Sequence, residues 1–261
     1  MKNRTYLLPN VIELNLAAGR PLGVNIYVID GGTEFALIDI GMIDTLDDVI
    51  DTLRNLDFPL SKCKFIIATH ADADHIQAMS AARDRLKTKT ASHAHAAIAI
   101  ESGDVETTFA RIAAQNFSIP LPPCKIDKRL ADGDVLKIGN VKLEVMHTPG
   151  HTPGQLSFKL GKILFSGDNI YRDGGVGVID AHHGSNLPDF IASLTTIRDG
   201  DFTHLLPSHG PAFKHDKKLI QRAIDRLTTY LSLPDFGTCA TNWPLQEEWE
   251  RDILAGRLPV L

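Results

Sequence analysis

The apolar residues of this chain follow two alternating spacings, one typical of strands and one typical of helices. Short apolar runs separated by turn residues such as Gly31-Gly32 predict an opening antiparallel sheet. Apolar residues at helical spacing from Leu46 to Leu56 follow, and Asp44 is the expected N-cap of that helix. The three runs that predict the opening strands are residues 11–16, 24–29 and 35–40.

The same alternation continues to residue 231. The later predictions are a strand at 64–69, a helix at 76–86, a mostly helical stretch at 91–117, hairpins at 135–146 and 156–165, a helix marked by Phe190, Leu194 and Ile197, and a last helix at 219–231. Strands and helices followed again by strands and helices predict an α+β chain. In such a chain two sheets pack face to face, with helices on the outside.

The length and composition of the chain favour one large domain. With 261 residues, of which 43% are hydrophobic, the chain can bury a sizeable core, and no linker-like stretch divides it. We therefore expect a single domain over residues 1–261, with its core at about 11–232. Residues 233–261, which include Trp243 and Trp249, fall outside the pattern. Three roles stay open for them: a packed tail, a lid over the site, or the contact of a homodimer.

Charge and segment lengths exclude several classes of partner. A net charge of −5 gives no general attraction to phosphate backbones, so nucleic acid is not expected as a partner. No apolar run approaches about 18 residues and no signal peptide is evident, so we expect a cytoplasmic protein without a membrane partner. Cys63, Cys124 and Cys239 are scattered, which is typical of reduced thiols.

The richest chemistry follows the predicted strand at 64–69. Four metal-binding side chains occur within six residues, and packing does not explain such a cluster. Three further His or Asp residues each follow an apolar run, and the first of them lies between two Pro-Gly pairs that make a rigid loop. The two sets are His70, Asp72, Asp74 and His75, and then His151, Asp168 and His209.

That set, in that order, resembles the metallo-beta-lactamase superfamily. Its pattern is His-x-His-x-Asp-His, followed by a His, a bridging Asp and a last His. The chain matches six of these seven positions and departs at Asp72, where the family has its second His. The resemblance covers residues 11–232 and implies a four-layer αβ/βα metallo-beta-lactamase sandwich with metals at one edge.

The resemblance also implies a ligand set. One metal would be held by His70, Asp72 and His151, a second by Asp74, His75 and His209, and Asp168 would bridge them. Two divalent ions are expected, with zinc as the first choice and iron or manganese as alternatives. Such ions lower the pKa of bound water to about 7, so a hydroxide would attack the substrate. Asp74 and Asp168 are the expected catalytic carboxylates, and Asp74 could also orient the hydroxide or pass a proton.

The reaction expected from the resemblance is hydrolysis of a small ester-like substrate, which could be a thioester, lactone, amide or phosphoester. A carboxylate at Asp72 would make the metal core less positive and favour harder ions. Flavodiiron proteins look similar and carry Glu at this position, so an iron-dependent oxidoreductase of the flavodiiron-like or dioxygenase-like branch is the first alternative. A non-catalytic metal-binding protein is the second.

The segment after Asp168 is expected to pass over the metal site. Its glycines allow close approach of the backbone to a ligand, and Tyr171, Arg172, His182 and His183 are candidate substrate contacts. The double His could instead cap or support the helix that starts near Leu187. Other histidines have simpler interpretations: His147 is expected to hold the ligand loop by a hydrogen bond, and surface or core roles are expected for His93, His95, His204 and His215.

Overall fold

Two six-stranded sheets form the centre of the protein. The computed structural model describes residues 4–16, 23–232, 251 and 255–256. The first sheet contains β1 (Val11–Leu14), β2 (Ile26–Asp30), β3 (Phe35–Ile38), β4 (Cys63–Ile67), β5 (Lys89–His93) and β8 (Lys128–Leu130), in that spatial order. Its first three strands are antiparallel, as predicted, and the last three continue parallel to β3. A small ribbon, β6 (Arg111–Ile112) with β7 (Phe117–Ser118), lies outside this sheet.

The second sheet is almost entirely antiparallel. It contains β9 (Val135–Ile138), β10 (Val141–His147), β11 (Leu156–Leu160), β12 (Ile163–Gly167), β13 (His204–Pro207) and β14 (Phe213–Lys214), with β14 and β9 at its edges. Both predicted hairpins, β9 with β10 and β11 with β12, are confirmed. Within this sheet, only β12 and β13 pair in parallel. This pairing matters for the site, because it places the carboxyl ends of both strands at one edge.

Six helices of the described chain cover the outer faces. They are α1 (Leu46–Asn55), α2 (Ala73–Ile76), α3 (Met79–Leu86), α4 (Ala94–Ser102), α5 (Leu187–Asp199) and α6 (Lys217–Leu231). Single turns of 3-10 helix lie at Ile43–Thr45, Leu60–Lys62, Ala113–Gln115 and Ala181–His183. Among the described residues, no helix has the length and apolar character needed to cross a membrane.

The buried side chains form three layers of core between four layers of structure. In β3, Phe35 and Leu37 point to the core under α1, α3 and α4, whereas Ala36 and Ile38 point to the core between the sheets. This alternation follows from the two-residue period of a strand. On the other side, Leu164 packs with α5 and α6. The αβ/βα sandwich is therefore confirmed.

Three details of the predicted elements are wrong. Helix α1 begins at Leu46 with Thr45 as its N-cap, so Asp44 is not the cap. The helix predicted at 76–86 begins later, at Met79, and Ile76 is the last residue of the separate short helix α2. The stretch 91–117 starts inside β5, because pairing with β4 outweighs the helical preference of its alanines, and only α4 in it is α-helical.

The predictions for the cysteines and the tail have different outcomes. Cys63 and Cys124 carry free thiols, and burial raises the pKa of Cys63 to about 12 and that of Cys124 to about 11. Both are therefore protonated at neutral pH, as expected for structural cysteines. Cys239, Trp243 and Trp249 lie outside the described residues, so the three roles considered for the tail stay predictions.

Candidate metal centre

Seven side chains from five segments meet at one edge of the sandwich. The stretch after β4 and helix α2 supply His70, Asp72, Asp74 and His75, and three later loops supply His151, Asp168 and His209. Those loops follow β10, β12 and β13, whose directions in the sheet agree, so their carboxyl ends lie together. The structure thus brings together all seven residues that the sequence singled out.

The first group of donor atoms surrounds Asp72. Its Oδ2 lies 3.1 Å from His151 Nε2 and 3.7 Å from His70 Nε2. These three residues form a set whose ligand atoms all lie within 4.8 Å of one another. Two imidazoles and one carboxylate therefore converge from β4 and β10, one strand of each sheet.

The second group surrounds Asp74. Its Oδ2 lies 3.4 Å from His209 Nε2 and 3.6 Å from His75 Nε2. Asp168 stands between the two groups: Oδ1 is 3.9 Å from His75 Nε2, and Oδ2 is 3.4 Å from His209 Nε2 and 3.9 Å from His151 Nε2. A carboxylate in this position can contribute ligand oxygens to both groups.

Several of these atoms are buried without a partner. Within the described part of the chain, His70 Nε2, His75 Nε2, Asp72 Oδ1 and Asp168 Oδ1 have no hydrogen-bond partner. A buried polar atom left in this way costs about 1–3 kcal/mol. Converging imidazole nitrogens and carboxylate oxygens are ligands that divalent transition metals accept, so the residues fit a metal.

Asp39 contacts the Nδ1 side of two candidate metal ligands, His75 directly and His70 through Thr69. It is 1% exposed, and its carboxylate accepts hydrogen bonds from the Thr69 N–H at 2.8 Å and from His75 Nδ1–H at 2.9 Å. The Thr69 hydroxyl donates to the same carboxylate, so its oxygen is left to accept from His70 Nδ1–H at 2.9 Å. One buried carboxylate thus orients two imidazoles, and both turn Nε2 towards the other donors.

The remaining two imidazoles are held by backbone carbonyls. His151 Nδ1–H donates to the Val178 carbonyl at 2.7 Å, and His209 Nδ1–H donates to the Gly23 carbonyl at 2.7 Å. A neutral imidazole that donates from Nδ1 has a lone pair on Nε2. All four histidines are therefore set in the tautomer that a metal ligand needs.

Sequence reasoning missed Asp39. A signal was present, since Asp39 is the only charged residue in the apolar run from Phe35 to Ile40. A charged residue inside a buried run is rarely tolerated unless it is paired. The pairing partners come from β4 and α2, so spacing along the chain did not indicate them.

In the absence of metal, the carboxylates and imidazoles shift one another's pKa values. Burial opposes charge in Asp72, but His70 and His151 outweigh it and hold its pKa below the usual range. Burial likewise opposes the cation of His151, yet Asp72 and Asp168 raise its pKa to about 9. The pKa of Asp168 is also lowered well below its usual value, chiefly by His75 and His209 against burial. The metal-free cluster is therefore a set of ion pairs.

This charge pattern predicts opposite pH responses with and without metal. Burial would lower the pKa of His75 and of His209, but nearby carboxylates raise both, as they do for His151. A raised pKa adds stability that is complete below the ordinary value of 6.5 and is lost as pH rises through the folded value. The melting temperature of chelator-treated protein should therefore fall between pH 6.5 and about 9.

Metal-loaded protein should behave differently over the same range. A metal needs the deprotonated imidazoles, so its stabilisation grows as pH rises. Differential scanning fluorimetry at both pH values, with and without chelator, measures the two trends. A parallel fall in both samples would show that these imidazoles do not bind the metal.

The candidate substrate contacts divide between two cavities. Tyr171 and Arg172 line a cavity of about 450 Å³ beside His209. Tyr171 is half-buried, and burial together with Asp168 raises its pKa well above the usual value, so its hydroxyl stays protonated. A protonated phenol at this place can donate a hydrogen bond to a ligand.

His183 lines a second groove, on the Asp72 side. The side chain of His182 is outside what the structure describes. The alternative that the double His caps the next helix is wrong, because the N-cap of α5 is Asn186, which accepts from the Asp189 N–H at 3.0 Å. Support of that helix in another way stays a prediction.

His147 holds the loop after β10, as expected. His147 Nε2–H donates to the Pro153 carbonyl at 2.8 Å and so closes the loop that carries His151. His147 also stacks on His93, with ring centroids 4.3 Å apart. Burial and the neighbouring imidazoles of His147 and His95 lower the pKa of His93 to about 4, so the stacked ring is neutral.

Two helix-covered sheets with a cluster of imidazoles and carboxylates at their common edge define a class of metal-dependent hydrolases. The model of the metallo-beta-lactamase superfamily matches residues 19–209. The chain belongs to this superfamily, and the predicted assignment as a metallo-hydrolase is confirmed.

Three similar proteins illustrate the relationship. An acyl-coenzyme A thioesterase, MBLAC2, from Gallus gallus is 28% identical over 206 residues, which cover 71% of this chain and 72% of the relative. Hydroxyacylglutathione hydrolase GloC from Haemophilus influenzae is 29% identical over 190 residues, covering 68% and 76%. The crystal structure of a metallo-beta-lactamase family protein from Thermus thermophilus superposes with a TM-score of 0.68 at 22% identity, covering 88% of this chain and 84% of that chain, which supports the fold.

Proposed function

We propose that the protein is a dinuclear metallo-hydrolase and that thioesters of small acids are its first candidate substrates. The observation that carries this proposal is the pair of three-residue donor groups with Asp168 between them. The choice of thioester is supported by similarity to an acyl-coenzyme A thioesterase. Lactones, amides and phosphoesters stay as alternatives for the same site.

In this proposal His70, Asp72 and His151 hold one divalent ion, and Asp74, His75 and His209 hold the other. Two such ions supply a nucleophile from water at neutral pH and stabilise developing negative charge on the substrate. Asp168 lies between the two groups and would be available as a ligand to both ions. Asp39 and the backbone carbonyls behind the imidazoles fix the tautomers, so little reorganisation is needed during turnover.

Asp74 has a second proposed role as a proton carrier. Burial raises the pKa of its carboxyl, as do Asp72 and Asp168, and they outweigh the opposing effect of His75 and His209. That shift belongs to the metal-free protein, so the proposed role rests on the position of Asp74 in the second donor group. There Asp74 would take the proton that the attacking water loses and pass it to the leaving thiolate, which departs as a thiol.

The first test is elemental analysis of protein purified without added metal, followed by a thioester panel. We expect two divalent ions per chain, with zinc as the first choice, and hydrolysis that stops on chelation and returns when zinc is restored. One ion per chain would contradict the dinuclear arrangement. Bound metal without hydrolysis of any thioester, lactone, amide or phosphoester would favour a non-catalytic metal-binding protein.

A second candidate function is favoured by the composition of the first donor group. His70, Asp72 and His151 provide two imidazoles and one carboxylate, which is the ligand set of many non-haem Fe(II) oxygenases. Iron in the purified protein, with oxygen consumption in place of hydrolysis, would support this iron-dependent oxidoreductase.

Asp72→His tests how the carboxylate acts. Restoring an imidazole makes the metal core more positive and its ligands softer, so we expect the bound metal to shift towards zinc. The apparent pKa of the activity profile should also fall, because a more positive core releases a proton from water more readily. Unchanged metal content and an unchanged pH profile would show that Asp72 does not tune the metal. Asp201→His, on the surface, is the control.

A further inference from the structure

A groove leads away from the metal centre on the Asp72 side. It has a volume of about 230 Å³, and it runs between α4 and the turn at residues 152–154, with Asp72 among its lining residues. Most of its surface is apolar. The apolar lining residues are Ala71, Ala96, Ile98, Ala99, Pro153 and Gly154, and the polar ones are Asp72, His95, Asp104, Thr107, Thr152 and His183.

The walls of this groove are rigid. A Cβ on Gly154 would lie 2.7 Å from the Ala96 backbone nitrogen, so the turn and α4 are in direct backbone contact. On another side, His183 stacks face to face with Phe109. The Thr108 carbonyl next to Phe109 accepts a hydrogen bond from the Ala73 N–H at 2.7 Å, which ties this wall to the ligand-bearing stretch. These contacts fix the position of the groove relative to the candidate metal centre.

Apolar side chains are exposed around this part of the site. Ile98 in the groove is 68% exposed, and Val178, whose carbonyl holds His151, is 62% exposed. Among the residues that the structure describes, large apolar side chains with such exposure are few. Exposed apolar surface that continues into a groove marks a binding site for an apolar group.

The cavity beside His209 also has a mostly apolar surface. Arg172 and Asp173 supply charges of both signs there, and Tyr171 supplies a phenol. Charged and apolar groups therefore line both cavities, and the most exposed large apolar side chain among them, Ile98, belongs to the groove beside Asp72.

We propose that the groove binds a straight aliphatic acyl chain, so that the acyl part of the substrate lies beside Asp72. This inference rests on the proposed hydrolase function and narrows its substrates to thioesters of unbranched apolar acids. Ile98 and Ala99 then determine the chain length that fits. Each buried methylene should strengthen binding about fourfold.

The test measures binding of straight-chain carboxylates, from acetate to octanoate, to the metal-loaded protein by isothermal titration calorimetry. These product acids need no turnover to bind. We expect affinity to rise with chain length. Ala99→Phe places a ring in the groove and should weaken octanoate at least tenfold while acetate changes by less than about twofold.

Two further variants separate the groove from general effects. Ile98→Asn changes an exposed side chain, so it should fold normally and still weaken octanoate more than acetate. Ala94→Phe lies on the same helix, is exposed, and is not part of the groove lining, so it should bind both acids like the wild type.

Equal affinity for acetate and octanoate, or no octanoate binding, would overturn the inference. An equal loss for both acids in Ala99→Phe and Ile98→Asn would overturn it as well. Because the readout is binding, its outcome is independent of catalysis. Chain-length dependence without hydrolysis of any thioester would support the groove and contradict the hydrolase, and hydrolysis with no dependence on chain length would do the reverse.

Discussion

Asp168→Ala should lower kcat/KM for the best thioester by about a thousandfold or more and reduce the bound metal. The carboxylate lies within 4 Å of Nε2 atoms from both donor groups, so its loss should affect both of the proposed ions. Losing one bridging ligand should remove several kcal/mol of transition-state stabilisation. A loss of that size corresponds to roughly three orders of magnitude in rate. Steady-state kinetics and elemental analysis of the same preparation measure both effects.

Asp168→Asn is the closest variant in shape, and it should show a similar loss because the amide carries no charge and its nitrogen cannot bind a metal. Asp201→Ala is the matched control, since Asp201 is an exposed aspartate that pairs with Lys162 at the surface. It should retain full activity and metal content. If Asp168→Ala kept both metals and activity within tenfold, the bridging role would be wrong.

Asp39→Ala should be the most destabilising of these substitutions and should also weaken metal binding. The change leaves the buried Thr69 N–H and the His75 Nδ1–H without acceptors, and each such group costs about 1–3 kcal/mol. Loss of the group behind a ligating imidazole typically lowers metal affinity about 10- to 100-fold. Chemical denaturation of chelated protein measures the first effect, and competition with a metal indicator measures the second.

Asp39→Asn separates geometry from charge. Asp39 has a φ of 57°, a left-handed conformation that Asn accepts as readily as Asp, so the backbone should be retained. We expect Asn to keep much of the stability and still to weaken metal binding, because an amide accepts less strongly from His75. Asp51→Asn, an exposed change on α1, is the control. Unchanged metal affinity in Asp39→Asn would show that Asp39 only supports the fold.

The elements that sequence patterns predicted best are those with local turns. The hairpin of β11 and β12 turns at Gly161-Lys162, and Gly161 has a φ of 60°, which glycine adopts without strain. Strand β5 was missed because it leads directly into the alanine-rich stretch that forms α4, so the whole segment was interpreted as helical. It becomes a strand only through parallel pairing with β4. Such pairing depends on a partner distant in the sequence.

Some features of the candidate site were also predicted from the sequence, and others were not. Residues from His70 to His75 were recognisable because four polar side chains cluster directly after an apolar run. His151, Asp168 and His209 were recognised by their order and by the family resemblance. The groove beside Asp72 was not foreseen, since α4 and the turn at residues 152–154 line it together from distant parts of the chain.

The sequence by itself determined which residue types are present at the ends of the strands, the family of the chain and the two-sheet arrangement. These three properties depend on local spacing and on the order of residues, both of which can be determined from the sequence. Only the tertiary structure decided that Asp39 orients two imidazoles, that all four histidines of the cluster present Nε2, and that a groove opens beside Asp72. Each of these depends on distances between segments that fold from far apart, and hydrogen bonds and cavities exist only once those distances are set.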